Sequence, residues 1–172
     1  MTSAPISSPT LLPYDAAVHT TDGSRTTLAD LSGSAVLVVN VASRCGLTPQ
    51  YAQLEELQKL YGDRGLQVVA FPSNEFGGQE PGTNQEIADF CSMTYGISFP
   101  VFGKIEVNGA DRHPIYTELV TALDVAGEGG DIQWNFEKFL VAPGGEVVGR
   151  FRPKMTPDDP AIVSAIEAVL PR

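Results

Sequence analysis

Two stretches of the chain are apolar almost without a break. Ala35-Val36-Leu37-Val38-Val39-Asn40-Val41 is a β-branched run, the pattern of a strand buried on both faces. Leu66-Gln67-Val68-Val69-Ala70-Phe71 is the second such run. Between them Tyr51, Leu54, Leu57 and Tyr61 recur at helical spacing, up to about Leu60-Tyr61-Gly62. Thr48 followed by Pro49 has the form of a helix N-cap and first helical position. Residues 35–71 thus read as a β-α-β unit with parallel strands and a right-handed crossover.

The flanking segments have their own signals. Residues 1–13 are rich in Ser, Thr and Pro and read as a loose lead-in. Thr21-Asp22-Gly23-Ser24 is a turn between two short segments of residues 14–31, as in a hairpin. A Gly-rich loop runs from Pro72 to Gly82, and Thr83-Asn84-Gln85-Glu86 is a capping box opening a helix with Ile87, Ala88, Phe90 and Cys91. Ile97 to Phe102 reads as extended, and Pro114 to Leu123 as helical through Ile115, Leu119 and Leu123. Lys138–Ala142 and Glu146–Phe151 flank Pro143-Gly144-Gly145, a hairpin signal. A last helix is expected from about Pro157 to Val169, with Asp158 and Asp159 in its first turn. A βαβ half followed by a ββα half predicts an α/β, thioredoxin-like fold. Its central mixed sheet is flanked by helices, with an N-terminal β-hairpin, and it forms a single domain over residues 14–172.

Composition narrows the function. The 172 residues carry a formal net charge of −10. That disfavours nucleic acid and acidic lipid surfaces, which are bound by clustered Lys and Arg. A small anionic substrate would need a local basic patch, and none stands out in the sequence. No apolar run approaches the ~18 residues of a membrane span, and the N-terminus has neither a basic start nor an apolar core of a signal peptide. The expected compartment is the cytoplasm.

Two cysteines, Cys45 and Cys91, are too few for a structural disulfide framework in such a chain. His19 and His113 show no ligand spacing to them, so no metal or other cofactor is expected. Inert buried thiols or redox chemistry remain. Cys45 lies just past the first buried strand and just before a helix, in the crevice where open α/β sheets bind ligands. A helix N-terminus favours a thiolate there, and the thiolate is the reactive species.

Three stretches carry a resemblance to the glutathione peroxidase family. They are Val39-Asn40-Val41-Ala42-Ser43-Arg44-Cys45-Gly46-Leu47-Thr48, Phe71-Pro72-Ser73-Asn74-Glu75-Phe76-Gly77-Gly78-Gln79-Glu80-Pro81-Gly82 and Trp134-Asn135-Phe136-Glu137-Lys138-Phe139-Leu140-Val141. The likeness runs from about Tyr14 to the C-terminal helix. It implies a peroxidase in which Cys45, Gln79, Trp134 and Asn135 form the catalytic group, in the sulfur rather than the selenium version. Gln79 and Asn135 would offer amide N–H donors and Trp134 an indole N–H, three neutral donors around an anionic sulfur. The family's two-cysteine members place a resolving cysteine where Cys91 stands. The resemblance thus implies a Cys45–Cys91 disulfide recycled by thioredoxin, with hydrogen peroxide and organic or lipid hydroperoxides as substrates. A disulfide needs Cα atoms within about 7 Å, so a more distant helical Cys91 requires local opening around residues 84–96.

The chain departs from the family pattern in places. Ser73 stands where many members have another Cys, and Glu75 where Gln is common. The connection from Phe102 to Trp134 is short and lacks a basic cluster for glutathione carboxylates. Both point to a monomer or weak dimer with a protein reductant. Glu75 and Glu80 are loop carboxylates and are expected to be solvated. A peroxide-sensing relay passing oxidation to a partner, a direct glutathione-dependent peroxidase and a non-catalytic adaptor are the competing functions.

Overall fold

The structure, a computed structural model, describes residues 9–171. Five of its elements precede α2: β1 (Val18–His19), β2 (Arg25–Thr26), β3 (Ala35–Val41), α1 (Gln50–Tyr61) and β4 (Leu66–Pro72). They are followed by α2 (Asn84–Tyr95), α3 (Pro114–Leu119), β5 (Lys138–Val141), β6 (Val147–Phe151) and α4 (Pro160–Val169). β1 and β2 form a separate antiparallel ribbon. The main sheet has the order β4-β3-β5-β6. β3 is parallel to β4 and antiparallel to β5, and β5 and β6 form the expected hairpin. The extended segment at 97–102 touches the outer edge of β4 through an Ala70–Val101 bridge.

All seven residues of β3 are buried. Side chains alternate across a strand, so Leu37, Val39 and Val41 join a core with Tyr51 and Leu54 of α1, Ile87 of α2, and Ile162 and Ile166 of α4. Val36 and Val38 face the opposite core, with Tyr116 and Leu119 of α3 and Phe139 of β5. Each such buried Val or Leu contributes about 1.5–3 kcal/mol. The doubly covered strand is therefore a fixed base, and its C-terminal end delivers Cys45.

Four expectations shift. Residues 1–8 of the expected lead-in lie outside the described residues. From Thr10 the chain is tied down: Leu12 is buried, its N–H donates to the Gly145 carbonyl at 2.8 Å, and Val147 N–H donates to the Thr10 carbonyl at 2.9 Å. α3 stops at Leu119 rather than Leu123, and Leu123 is exposed. α4 begins at Pro160 because Asp159 Oδ1 caps the Ala161 N–H at 2.9 Å, so Asp159 lies before the first turn, not in it. Thr48 does not cap α1, which follows Pro49 without a side-chain cap. Its hydroxyl is used by the loop that carries Cys45.

Candidate active site

Cys45 sits in the turn between β3 and α1, 8% exposed. Thr48 closes this turn. Its Oγ1 accepts from Cys45 N–H at 2.9 Å and donates to the Ala42 carbonyl at 2.8 Å. The Thr48 N–H donates to the Cys45 carbonyl at 3.1 Å. Leu47 N–H then points at Cys45 Sγ, 3.3 Å away. This backbone donor lies near the start of α1. Arg44 N–H donates to the Gln79 carbonyl at 3.0 Å and ties the turn to the loop after β4.

The segment 132–137 is held on several sides. Asn40 of β3 is fully buried. Its Nδ2 donates to the Trp134 carbonyl at 3.0 Å and its Oδ1 accepts from Glu137 N–H at 3.2 Å. Its backbone carbonyl accepts from Phe136 N–H at 2.6 Å. Glu137, also fully buried, accepts from Gln133 N–H at 3.1 Å, Arg150 Nε at 2.8 Å and Arg152 Nη1 at 3.1 Å. Asn108 brackets Ile132, donating to its carbonyl at 2.8 Å and accepting its N–H at 2.9 Å. Phe136 has φ +68°, the single non-glycine residue with positive φ among the described residues. Such a conformation costs about 1–3 kcal/mol and persists only when its surroundings over-determine it. Here those surroundings are Asn40, Glu137 and the Tyr51 ring, which meets Phe136 edge-on at 5.3 Å.

This frame brings Gln79, Trp134 and Asn135 to the Cys45 turn. Asn135 is fully buried, and its Nδ2 donates to Gln79 Oε1 at 3.1 Å. Asn135 Oδ1 is buried without a partner. Trp134 is 37% exposed and packs on Phe76 at 5.5 Å. It lines, with Cys45, an open cleft of about 620 Å³. Leu47 and Pro153 add apolar surface to that cleft, and Arg152 and Lys154 add cations. Arg152 is already paired with Asp124 and Glu137, so Lys154 is the one cation lining this cleft without an ion pair among the described residues. One difference from expectation concerns the donors. Among the described residues the hydrogen bond to Cys45 Sγ is the Leu47 N–H, while the Asn135 amide is used on Gln79.

Cys91 is not in this cleft. It lies on α2, 2% exposed, and both cysteines are free thiols. Burial pushes the Cys91 thiol up to about 11, with the adjoining Tyr51 hydroxyl opposing and the Glu80 charge adding. The loop carboxylates are not solvated as expected. Glu75 accepts from the Val107 and Asn108 N–H groups, and Glu80 is 1% exposed. Residues missed by sequence reasoning are Asn40, Asn108, Glu137, Arg150, Arg152 and Lys154. Their common signal was a polar residue in or beside an apolar run, and its use depends on tertiary neighbours. No group of three or more His, Cys, Asp or Glu among the described residues is placed to hold a metal ion. No helix there is long and apolar enough to cross a membrane.

Known proteins share these features. Residues 13–120 match the family model described as Glutathione peroxidase, a span that takes in Cys45, Gln79 and Cys91. The thioredoxin/glutathione peroxidase BtuE of Escherichia coli (strain K12) is 48% identical, covering 87% of this chain and 92% of its own. The hydroperoxy fatty acid reductase Gpx2 of Synechocystis is 45% identical over 92% of this chain and 99% of its own. Among solved structures, T. cruzi GPX1 superposes with a TM-score of 0.70 at 30% identity, covering 91% of this chain and 92% of that one. A thioredoxin-family thiol:disulfide interchange protein from Chlorobium tepidum, at 24% identity and a TM-score of 0.61 over 94% of this chain and 99% of that one, shares the thioredoxin-like fold. A cysteine presented at a cleft beside a Gln–Asn pair and a Trp, on that fold and with these relatives, makes the chain a member of the glutathione peroxidase family.

Proposed function

We propose that this thiol peroxidase works through Cys45, with Gln79, Trp134 and Asn135 as its catalytic partners and Cys91 as the resolving thiol. The Cys45 thiolate attacks one peroxide oxygen, the O–O bond breaks, and the other oxygen leaves as alkoxide or hydroxide and takes a proton. Cys45 is left as a sulfenic acid. The observation that carries this reading is the gathering of Gln79, Asn135 and Trp134 around the turn that presents Cys45 at an open cleft. The Asn135 bond occupies Gln79 Oε1, and among the described residues the Gln79 NH2 has no hydrogen-bond acceptor; in this reading it donates to the departing oxygen.

Cys91 then attacks the sulfenic sulfur, the S–O bond breaks, and water leaves. A dithiol reductant opens the disulfide. Thioredoxin fits best, since relatives are named thioredoxin/glutathione peroxidase and glutathione peroxidase-like peroxiredoxin. The apolar wall of Leu47, Trp134 and Pro153, with Arg152 and Lys154 nearby, suits organic hydroperoxides as well as hydrogen peroxide. A relative named hydroperoxy fatty acid reductase supports the same range. A cytoplasmic monomer or weak dimer completes the reading.

The test is turnover with thioredoxin, thioredoxin reductase and NADPH, alongside mass spectrometry after one equivalent of peroxide. Cys45→Ser is expected to lose at least about 10³-fold in rate. Wild type is expected to yield a Cys45–Cys91 disulfide, and Cys91→Ser a Cys45 sulfenate. Undiminished turnover in Cys45→Ser removes the peroxidase reading. A missing disulfide removes only the role of Cys91.

A further inference from the structure

A buried pocket with unpaired polar groups lies between the Cys45 turn and α2. Glu80 is 1% exposed, and its Oε2 is buried without a hydrogen-bond partner. The hydroxyls of Ser43 and Tyr51 are also buried and unpartnered. Ser43 leads into Cys45, Tyr51 opens α1, and Cys91 lies on α2. Ser43 adjoins the Glu80 carboxyl, and Tyr51 adjoins the Cys91 thiol, closely enough to bias the ionisation of each. Neither hydroxyl reaches a bond of normal geometry. A cleft of about 220 Å³ opens beside them, lined by Arg44, Glu80, Glu86 and Phe90.

Buried polar atoms in folded proteins are nearly always paired, so several unpaired in one place call for an explanation. α2 itself is well formed. Thr83 and Glu86 make a full capping box, and Gly96 closes the C-terminus at φ +59°. Its buried side chains are Ile87 and Cys91. The helix is firm along its axis, and beside Cys91 its Phe90 and Tyr95 rings pack on Tyr51; the unpartnered oxygens of Glu80, Ser43 and Tyr51 act against that packing.

We propose that Glu80 is a positioning residue for the second step: its buried, half-unpaired carboxylate loosens α2 over Cys91 and sets how often that thiol is released toward oxidised Cys45. The proposal rests on the reading of Cys91 as the resolving thiol. Glu80 exchanges no atom in the reaction. The Cys91 and Cys45 sulfurs join, the sulfenic S–O bond breaks, and the thiol proton leaves with the hydroxide as water.

The sign of the pH dependence follows from burial. Burial raises the Glu80 carboxyl, against Ser43, Lys104 and Arg44, which favour its charge. When α2 opens, the carboxyl meets water and returns toward its ordinary value. The closed form therefore holds its proton to higher pH than the open form, and losing that proton favours opening. Facing Glu80 are Arg44 and Ser43 from the β3–α1 turn, Tyr51 from α1, Cys91 and Glu86 from α2, and Lys104 from the segment after 97–102. Tyr51 and Cys91 are both raised by burial and stay neutral at neutral pH. Opening should gain about tenfold for each pH unit by which burial has moved the carboxyl.

Hydrogen exchange of the reduced protein and stopped-flow Trp134 fluorescence after peroxide test this in wild type, Glu80→Gln, Glu80→Asp and Cys91→Ser. In wild type, exchange over residues 84–95, corrected for its intrinsic rate, should rise from pH 4 to pH 8 relative to β3. Glu80→Gln keeps the shape and removes the charge. Cys45 oxidation should be unchanged in it, while α2 exchange and disulfide formation both slow and lose their pH rise. Glu80→Asp should keep that rise. Unchanged or faster α2 exchange in Glu80→Gln overturns the proposal, and so does disulfide formation that keeps its wild-type rate and pH profile. Persistence of the second phase in Cys91→Ser instead overturns the resolving role, and the exchange comparison still reads on Glu80.

Discussion

The two thiols sit in opposite kinds of surroundings. Around Cys45 the frame is tied, although Asn135 Oδ1 within it has no partner: Thr48 closes the turn, Asn40 uses both ends of its amide, and Glu137 satisfies Gln133, Arg150 and Arg152. Around Cys91 the neighbouring Glu80 Oε2, Ser43 hydroxyl and Tyr51 hydroxyl have no partners. Both regions are buried, so burial is not the difference. On the proposed reading, the sulfur that attacks peroxide sits in a turn whose backbone is hydrogen-bonded, and the sulfur that travels is covered by a cluster of unpartnered side-chain oxygens. The lesson is that a hydrogen-bond inventory separates the part of a site that is fixed from the part that is free to open.

Two buried carboxylates put that contrast to its hardest test. Glu137→Ala leaves Arg150 charged, fully buried and without its carboxylate. Breaking such a pair costs about 3–5 kcal/mol, and urea unfolding should show a loss of that size. Glu80→Gln removes charge from a site with no ion pair and should not destabilise the protein. Equal losses in the two variants would erase the distinction between the regions.

The thiols can also be compared by alkylation. Burial holds the Cys91 thiol at about 11. At pH 8 only about a thousandth of it is thiolate, against about a quarter for a free cysteine near 8.5. In Cys45→Ser, iodoacetamide should therefore react with Cys91 about 10²-fold more slowly in the folded protein than in urea. Because the value is raised, the folded rate should climb about tenfold per pH unit toward 11. Cys45 in Cys91→Ser opens onto the cleft and should react faster than Cys91. Similar rates for the two would mean that α2 does not shield its thiol.

Three residue–Pro pairs, Thr48-Pro49, His113-Pro114 and Asp159-Pro160, precede helices, and only Thr48-Pro49 was read as a cap and first helical residue; Asp159 was read inside a helix begun at Pro157, and His113 was not read as a cap. His113 Nδ1 accepts from Ile115 N–H at 3.2 Å, and Asp159 caps α4, as such pairs do. Thr48 instead serves Cys45 and Ala42. Local pattern cannot reveal this, because the competing partner is a functional turn. The doubly buried strands, the Thr83 capping box and the β5–β6 hairpin were readable because each depends on periodicity or on turn chemistry within a few residues. The site residues Gln79, Trp134 and Asn135 came from family likeness, and no spacing relates them to Cys45. Asn40 was hidden in an apolar run, and its role depends on a segment that returns to it only in the folded chain. Glu80 was read as a solvated loop carboxylate for the same reason.

The smallest effect isolates the fixed region most cleanly. Gly77 and Gly78 are adjacent and both left-handed, with φ +67° and +62°. An alanine at either position bears a backbone cost of about 1–2 kcal/mol. Their surroundings differ. A Cβ on Gly77 would lie 3.3 Å from Trp134 Cη2 and 3.5 Å from Gln79 Cγ, whereas a Cβ on Gly78 meets nothing within 4 Å. Trp134 is partly exposed and can shift, so the contact should move the indole rather than unfold the loop. Gly77→Ala and Gly78→Ala should thus lose similar stability in urea, and only Gly77→Ala should slow Cys45 oxidation by peroxide. If Gly78→Ala slows it equally, backbone strain in the loop rather than the seat of Trp134 and Gln79 controls the rate, and the case for a rigidly held first step fails.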